Sequence, residues 1–153
     1  MTKIFVSAVI EAPVEEVWAK VRDFNNLPEW HPKFSRSHIE GGLASDRVGC
    51  VRNFDIAGGG GTIRERLLEL SDVEHSFRYC ILTSPLPVEG YVAQLTLYPV
   101  TVGDQTVGIW TAEFTVTNGD EAGVVNAVAN DTFGKAFEIL NTLFAAKKRV
   151  NGL

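Results

Sequence analysis

Three side chains in this 153-residue sequence could do chemistry if the fold brings them together: His31, Arg52 and Glu65. Glu65 lies in a strand-like run, "TIRERLLEL", with apolar Ile63 and Leu67 on its own face and Arg64, Arg66 and Leu68 on the other. Two arginines are harder to bury than one glutamate, so Glu65 is expected to point inward. A buried carboxylate must be paired or protonated, because desolvation penalises the charged form. Glu65 therefore either pairs with an arginine as a structural ion pair, or meets a ligand as a hydrogen-bonding or acid/base group. Arg52 shares a strand face with Val48, Cys50, Phe54 and Ile56. It can pair with Glu65, bind an anionic ligand group, or reach to the rim. His31 sits in "PEWHPKF". A neutral imidazole there could donate, accept or shuttle a proton, or simply pack in the loop. His38 and His75 read as surface residues of a strand and a turn.

Other chemistries lack their motifs. The chain has no GxSxG, no phosphate-binding loop with its lysine and no HExxH. Its three histidines are scattered, and no metal site or cofactor is expected. Cys50 and Cys80 make no CxxC and are expected as free thiols. The net charge of −5 argues against nonspecific nucleic-acid binding, which needs a basic surface. The basic run Lys147-Lys148-Arg149 is better explained as a complement to a helix C-terminus. No stretch has the roughly 18 apolar residues of a membrane span. The N-terminal apolar run is short, alternating and ended by Glu11, unlike a signal peptide. A cytoplasmic protein of one domain, residues 1–153, is the expectation.

The elements that must position these side chains follow from periodicity. Residues 3–11 alternate as a strand. Pro13 is expected to open a helix at its first position, with Glu15 and Glu16 in the first turn and Val14, Val17, Trp18 and Val21 as an apolar stripe. A second short helix or turn is expected around 24–27, with the two prolines of PEWHP making a turn after it. Strands are expected at 34–40, 48–57, 62–70, 75–84, 89–100 and 106–117, an antiparallel meander. Gly58 to Gly61 mark a mobile hairpin loop between two of them. Asp120 can cap a helix running to about Lys148, with an apolar face from Ala122 through Val128, Thr132, Phe133, Ala136 and Phe137 to Leu143 and Phe144. An amphipathic helix after an antiparallel sheet buries its face on that sheet, giving an α+β domain. Alternation then turns Phe77, Tyr79 and Ile81, Tyr91, Ala93, Leu95 and Leu97, and Trp110, Ala112, Phe114 and Val116 toward the helix.

This layout resembles the START-like, Bet v-type helix-grip (SRPBCC) superfamily, in particular its bacterial polyketide cyclase/dehydrase and MxaD-like branch, related to plant abscisic-acid receptors. The resemblance rests on "APVEEVWAKVRDFNNLPEWHP", "VGCVRNF", "TIRERLLELSD", "SPLPVEGYVAQLTLYPV" and "IWTAEFTV" in this order. It implies a seven-stranded antiparallel sheet wrapped around a long C-terminal helix, two short helices after the first strand, and a cavity for a hydrophobic or amphipathic small molecule. It also implies a cavity glutamate at Glu65 and a cavity-mouth position at His31. The ligand-contacting set expected on this basis is His31, Arg52, Phe54, Glu65, Tyr79, Ile81, Tyr91, Ala93, Trp110, Phe114, Val128, Thr132, Phe133 and Ala136. Hormone sensing does not carry over, because the glycine run replaces the receptors' Ser-Gly-Leu-Pro gate and Ser84 to Val88 replace their latch.

Three functions remain open. The favoured one is binding of a lipid, polyketide or aromatic compound. The second is a cyclase or dehydratase-type enzyme using Glu65 and His31, with Arg52 or Tyr91. The third is an accessory protein acting as a homodimer, which a cavity filled by Trp110, Phe133 and Phe137 would favour.

Overall fold

The structure is a computed structural model and describes residues 1–151. Seven antiparallel strands run β1 (Thr2–Ile10), β2 (Phe34–Ile39), β3 (Val51–Ile56), β4 (Gly61–Ser71), β5 (Ser76–Thr83), β6 (Val88–Val100) and β7 (Gln105–Val116). Their order in the sheet is β1-β7-β6-β5-β4-β3-β2. Consecutive strands from β2 to β7 are neighbours, as short turns dictate, and β1 joins at the far edge beside β7. The sheet is therefore the meander that the turn residues predict. At the β3–β4 turn, Gly58, Gly59 and Gly61 take positive φ, where a side chain would be strained.

Two short helices follow β1. The first, α1 (Val14–Val21), buries Val17, Trp18 and Val21, as its stripe predicts. Pro13 is not its first helical residue. It is the N-cap, with an extended ψ of 145°, and contributes no side-chain cap. The second, α2 (Leu27–Trp30), starts later than expected and takes in Pro28 and Trp30. Proline is compatible with the first turn, where its N–H would have no partner. Only Pro32 lies beyond the helix, and the chain leaves through His31 in an extended conformation.

The C-terminal helix is not one regular rod. Asp120 does cap it, accepting from the Ala122 N–H, and α3 (Glu121–Val128) begins there. A π-turn occupies Ala129–Gly134, marked by the Lys135 N–H donating to the Asn130 carbonyl. Helix α4 (Lys135–Asn151) continues. The buried positions record the extra residue: Val124 and Val128 are four apart, whereas the next buried residue is Phe133, five further on. Phe137, Leu140 and Phe144 complete the face against the sheet, while Leu143, expected on it, is exposed. Helix and sheet approach closely at Gly108 of β7. A Cβ there would lie 2.5 Å from Phe137 Cε1. Glycine thus lets the Phe137 ring rest on the strand backbone.

Candidate functional site: a small polar-centred cavity

Arg52 and Glu65 stand directly opposite each other on β3 and β4. Both side chains point inward and both are buried. Arg52 Nη2 lies 2.6 Å from Glu65 Oε1, and Nε donates to the same oxygen at 2.8 Å. Nη1 donates to the Phe24 carbonyl at 3.0 Å. The guanidinium also lies 3.9 Å from the Phe24 ring centroid and 5.0 Å from that of Tyr79. Arg52 is thus enclosed and does not reach the rim. Burial pushes the Glu65 carboxyl up, and the Arg52 charge and hydrogen bonds pull against it. Val48, expected on the same face, precedes β3 and is exposed.

A second polar group lies beside this pair. Tyr79 of β5 accepts the indole N–H of Trp110 of β7 at 3.1 Å. Tyr91 of β6 stacks on Phe114 with centroids 5.6 Å apart. Burial raises both phenols above the ordinary tyrosine range, and the Glu65 charge adds to it, so both stay protonated donors. Trp110 faces the helix, stacked on Phe133 at 4.8 Å and edge-on to Phe137 at 5.7 Å.

His31 is buried, with 1% of its surface exposed. Its Nδ1 accepts the Lys33 backbone N–H at 3.3 Å, so the other nitrogen carries the proton and donates to the Thr132 carbonyl, also at 3.3 Å. Burial is the main reason its pKa is lowered, and the positive charges of Lys33 and Lys135 add to the effect against the Thr132 carbonyl. The ring packs against Phe34 at 5.0 Å. Lys33 reaches the same π-turn, donating from Nζ to Thr132 Oγ1 at 2.8 Å, and that hydroxyl donates in turn to the Ala127 carbonyl at 3.0 Å. The other two histidines differ from each other. His38 is exposed, whereas the His75 ring packs edge-on against Trp18 at 5.8 Å and lies 3.0 Å from a Glu15 carboxylate oxygen.

These groups border one cavity between sheet and helix, of about 80 Å³. Of the expected set, His31, Arg52, Phe54, Glu65, Tyr79, Ile81, Tyr91, Trp110, Val128 and Thr132 line it. Ala93, Phe114, Phe133 and Ala136 are buried behind that lining and do not border the space. Leu27, Lys33, Phe34, Ile56, Ile63 and Leu86 also line it, outside the expected set. Strand alternation carried a signal for two of these: Ile56 shares a face with Arg52, and Ile63 with Glu65. For Lys33, after Pro32 in an irregular turn, no periodicity gives a direction. The partly exposed residues Leu27, Lys33, Ile56, Ile81, Leu86 and Thr132 mark the open side.

A larger, shallower groove of about 470 Å³ lies on the outer face of the sheet, between Lys3, Phe5, Arg78, Gln94 and Glu113. Its charges are exposed and paired, as in Lys3 with Glu113 at 3.5 Å, so it lacks the enclosed aromatic walls of a small-molecule site. Among the described residues no three His, Cys, Asp or Glu side chains cluster as a metal would need. Cys50 and Cys80 are free thiols. No helix among the described residues is long and apolar enough to cross a membrane.

Residues 1–146 match the family described as polyketide cyclase / dehydrase and lipid transport. The chain belongs to this family. An abscisic acid receptor of Arabidopsis thaliana is 33% identical over 92 residues, 59% of this chain and 42% of the receptor, so the match spans less than half of that relative. Among solved structures, the protein XoxI of Bacillus cereus superposes with a TM-score of 0.83 at 27% identity, covering 95% of this chain and 96% of that one. An uncharacterised protein of Bacillus thuringiensis gives 0.82 at 27% identity, covering 94% and 99%. A protein of Nitrosospira multiformis gives 0.82 at 26%, covering 97% and 99%. These superpositions agree with the helix-grip architecture seen here, a seven-stranded antiparallel sheet with a long C-terminal helix.

Proposed function

We propose that this protein is a single-domain carrier or receptor that binds a hydrophobic or amphipathic small molecule of lipid, polyketide or aromatic type between the sheet and the C-terminal helix. The observation that carries this reading is a cavity with apolar and aromatic walls whose central charges, Arg52 and Glu65, neutralise each other. Such a site offers burial to an apolar body and a few fixed donors, the Tyr79 and Tyr91 hydroxyls, to a polar substituent. The family description, which includes lipid transport, supports the same reading.

Catalysis is the weaker alternative on this geometry. Its two candidate groups already have partners. Arg52 takes Glu65 Oε1 and leaves only Oε2 unengaged, and both His31 nitrogens are engaged, one by the Lys33 N–H and one by the Thr132 carbonyl, so no second acid/base group is free beside it. A general acid or base needs a free position within hydrogen-bond reach of substrate.

One observation favours a second reading, an accessory protein acting through dimerisation. The cavity volume of about 80 Å³ is well below the roughly 300–1,000 Å³ of drug-sized ligand sites, and Trp110 with Phe133 fills space beside it. Ligand binding requires the open side, between the α2–β2 turn and the π-turn, to move apart. The neutral fluorophore N-phenyl-1-naphthylamine tests this. Its fluorescence should rise on addition of protein and saturate at one probe per chain. An Ile81→Trp substitution, which fills the open side, should abolish the rise while the protein keeps its cooperative melt. An unchanged titration in that variant would remove the cavity from the account.

A further inference from the structure

Counting charge around the cavity leaves one cation without a counter-ion. Arg52 and Glu65 cancel. His31 is held neutral by its two partners, and Tyr79 and Tyr91 keep their protons. Lys33 remains. Lys33 lines the cavity, and the only hydrogen-bond partner of its Nζ among the described residues is a neutral hydroxyl, Thr132 Oγ1. Among those residues it forms no ion pair; Asp131 acts on it only through its charge, without a hydrogen bond, and is itself exposed. An ammonium that is partly buried without an anion is left short of the solvation it loses. Accordingly, burial lowers the Lys33 pKa, with Asp131 opposing.

Thr132 Oγ1 can accept from Lys33 because its own proton goes to the Ala127 carbonyl. An anionic oxygen is a stronger acceptor than a hydroxyl and would replace it. Lys33 Nζ also lies 5.9 Å from the Phe34 ring centroid, and the apolar walls of the same cavity include Phe34, Phe54, Ile63 and Ile81. Building on the reading of the cavity as a ligand site, we infer that its ligand is an anionic amphiphile. A singly charged acidic head, of the carboxylate class, binds Lys33 Nζ at the open side, and the apolar body lies against those four side chains. Lys33 then sets the specificity between acids and the corresponding alcohols, and holds the π-turn through Thr132 only while the site is empty.

Calorimetric titrations with two matched sets of probes test this: decanoate, decanol and decylamine, then naphthoate and naphthol. Wild type should bind each acid about tenfold tighter than its alcohol, the worth of one charge-assisted hydrogen bond, and the amine most weakly. Lys33→Met should bring acid and alcohol to equal affinity, and Lys33→Arg should keep the preference for the acid. Equal binding of acid and alcohol by wild type overturns the inference and leaves the cavity reading standing. So does a preference that survives in Lys33→Met, or one for the amine. If neither acids nor alcohols bind, both fall.

Discussion

The interface between sheet and helix has two ends built on different rules. Around Ile10, Val17, Leu97, Phe137 and Leu140 it is apolar and closely packed. Its buried polar side chain there, Thr106, donates to the Ala12 carbonyl at 2.8 Å. At the other end β3, β4, β5 and β6 carry Arg52, Glu65, Tyr79 and Tyr91 inward, the helix breaks into a π-turn, and space remains. Ridge-to-strand packing at the first end holds the fold, so the second end can keep groups that a pure core would exclude. A buried ion pair contributes little net stability compared with apolar residues of similar size. Its presence opposite an apolar wall is better explained by what the cavity must accept than by what the fold needs.

Breaking the pair from one side should show the largest difference between the ends. Arg52→Met leaves Glu65 buried alone and should cost about 3–5 kcal/mol in urea unfolding at neutral pH. Without Arg52, burial alone acts on Glu65, raising its native pKa above the unfolded value. Stability gained from that shift is complete at low pH and is lost as pH rises, so the variant should regain stability at pH 5. The double variant Arg52→Met/Glu65→Leu should recover most of the loss. If the single variant were as stable as wild type at neutral pH, the pair would have no place in the folded core.

At the packed end, Gly108→Ala pushes a methyl group into the Phe137 ring. It should cost about 1–3 kcal/mol by overpacking and leave probe affinity at the cavity unchanged. A change in affinity without a change in stability would mean that the two ends are not separable. The smallest effect concerns His31, whose pKa burial depresses. A depressed native pKa gives stability that is present above the unfolded value, about 6.5, and lost as pH falls below it. Melting temperatures compared between pH 8 and pH 5.5 should therefore drop more for wild type than for His31→Gln. Equal drops would place the acid sensitivity elsewhere.

Much of this was legible in the sequence. Alternation in "TIRERLLEL" turned Glu65 inward, because the opposite phase would have buried two arginines. The same alternation placed Tyr79, Tyr91 and Trp110 on the helix side, where they lie. Turn residues between strands gave the meander. What alternation could not give was the direction of side chains in irregular backbone. The α2–β2 turn hid Lys33 as a lining residue, and α2 runs through Pro28 to Trp30 because a first-turn proline is tolerated. The π-turn was equally hidden, since Ala129 and Thr132 fit a regular helical face as well as an interrupted one. Both regions hold the open side of the cavity, so the part of the site least readable from periodicity is the part that must move.

Native mass spectrometry of the protein, purified gently from the cells that make it, distinguishes a loaded carrier from a dimer with a filled cavity. The protein should be a monomer carrying one small hydrophobic molecule, displaced by decanoate and absent from Ile81→Trp. A ligand-free dimer, unchanged on adding decanoate, decanol or the neutral fluorophore, would contradict it and favour the accessory reading.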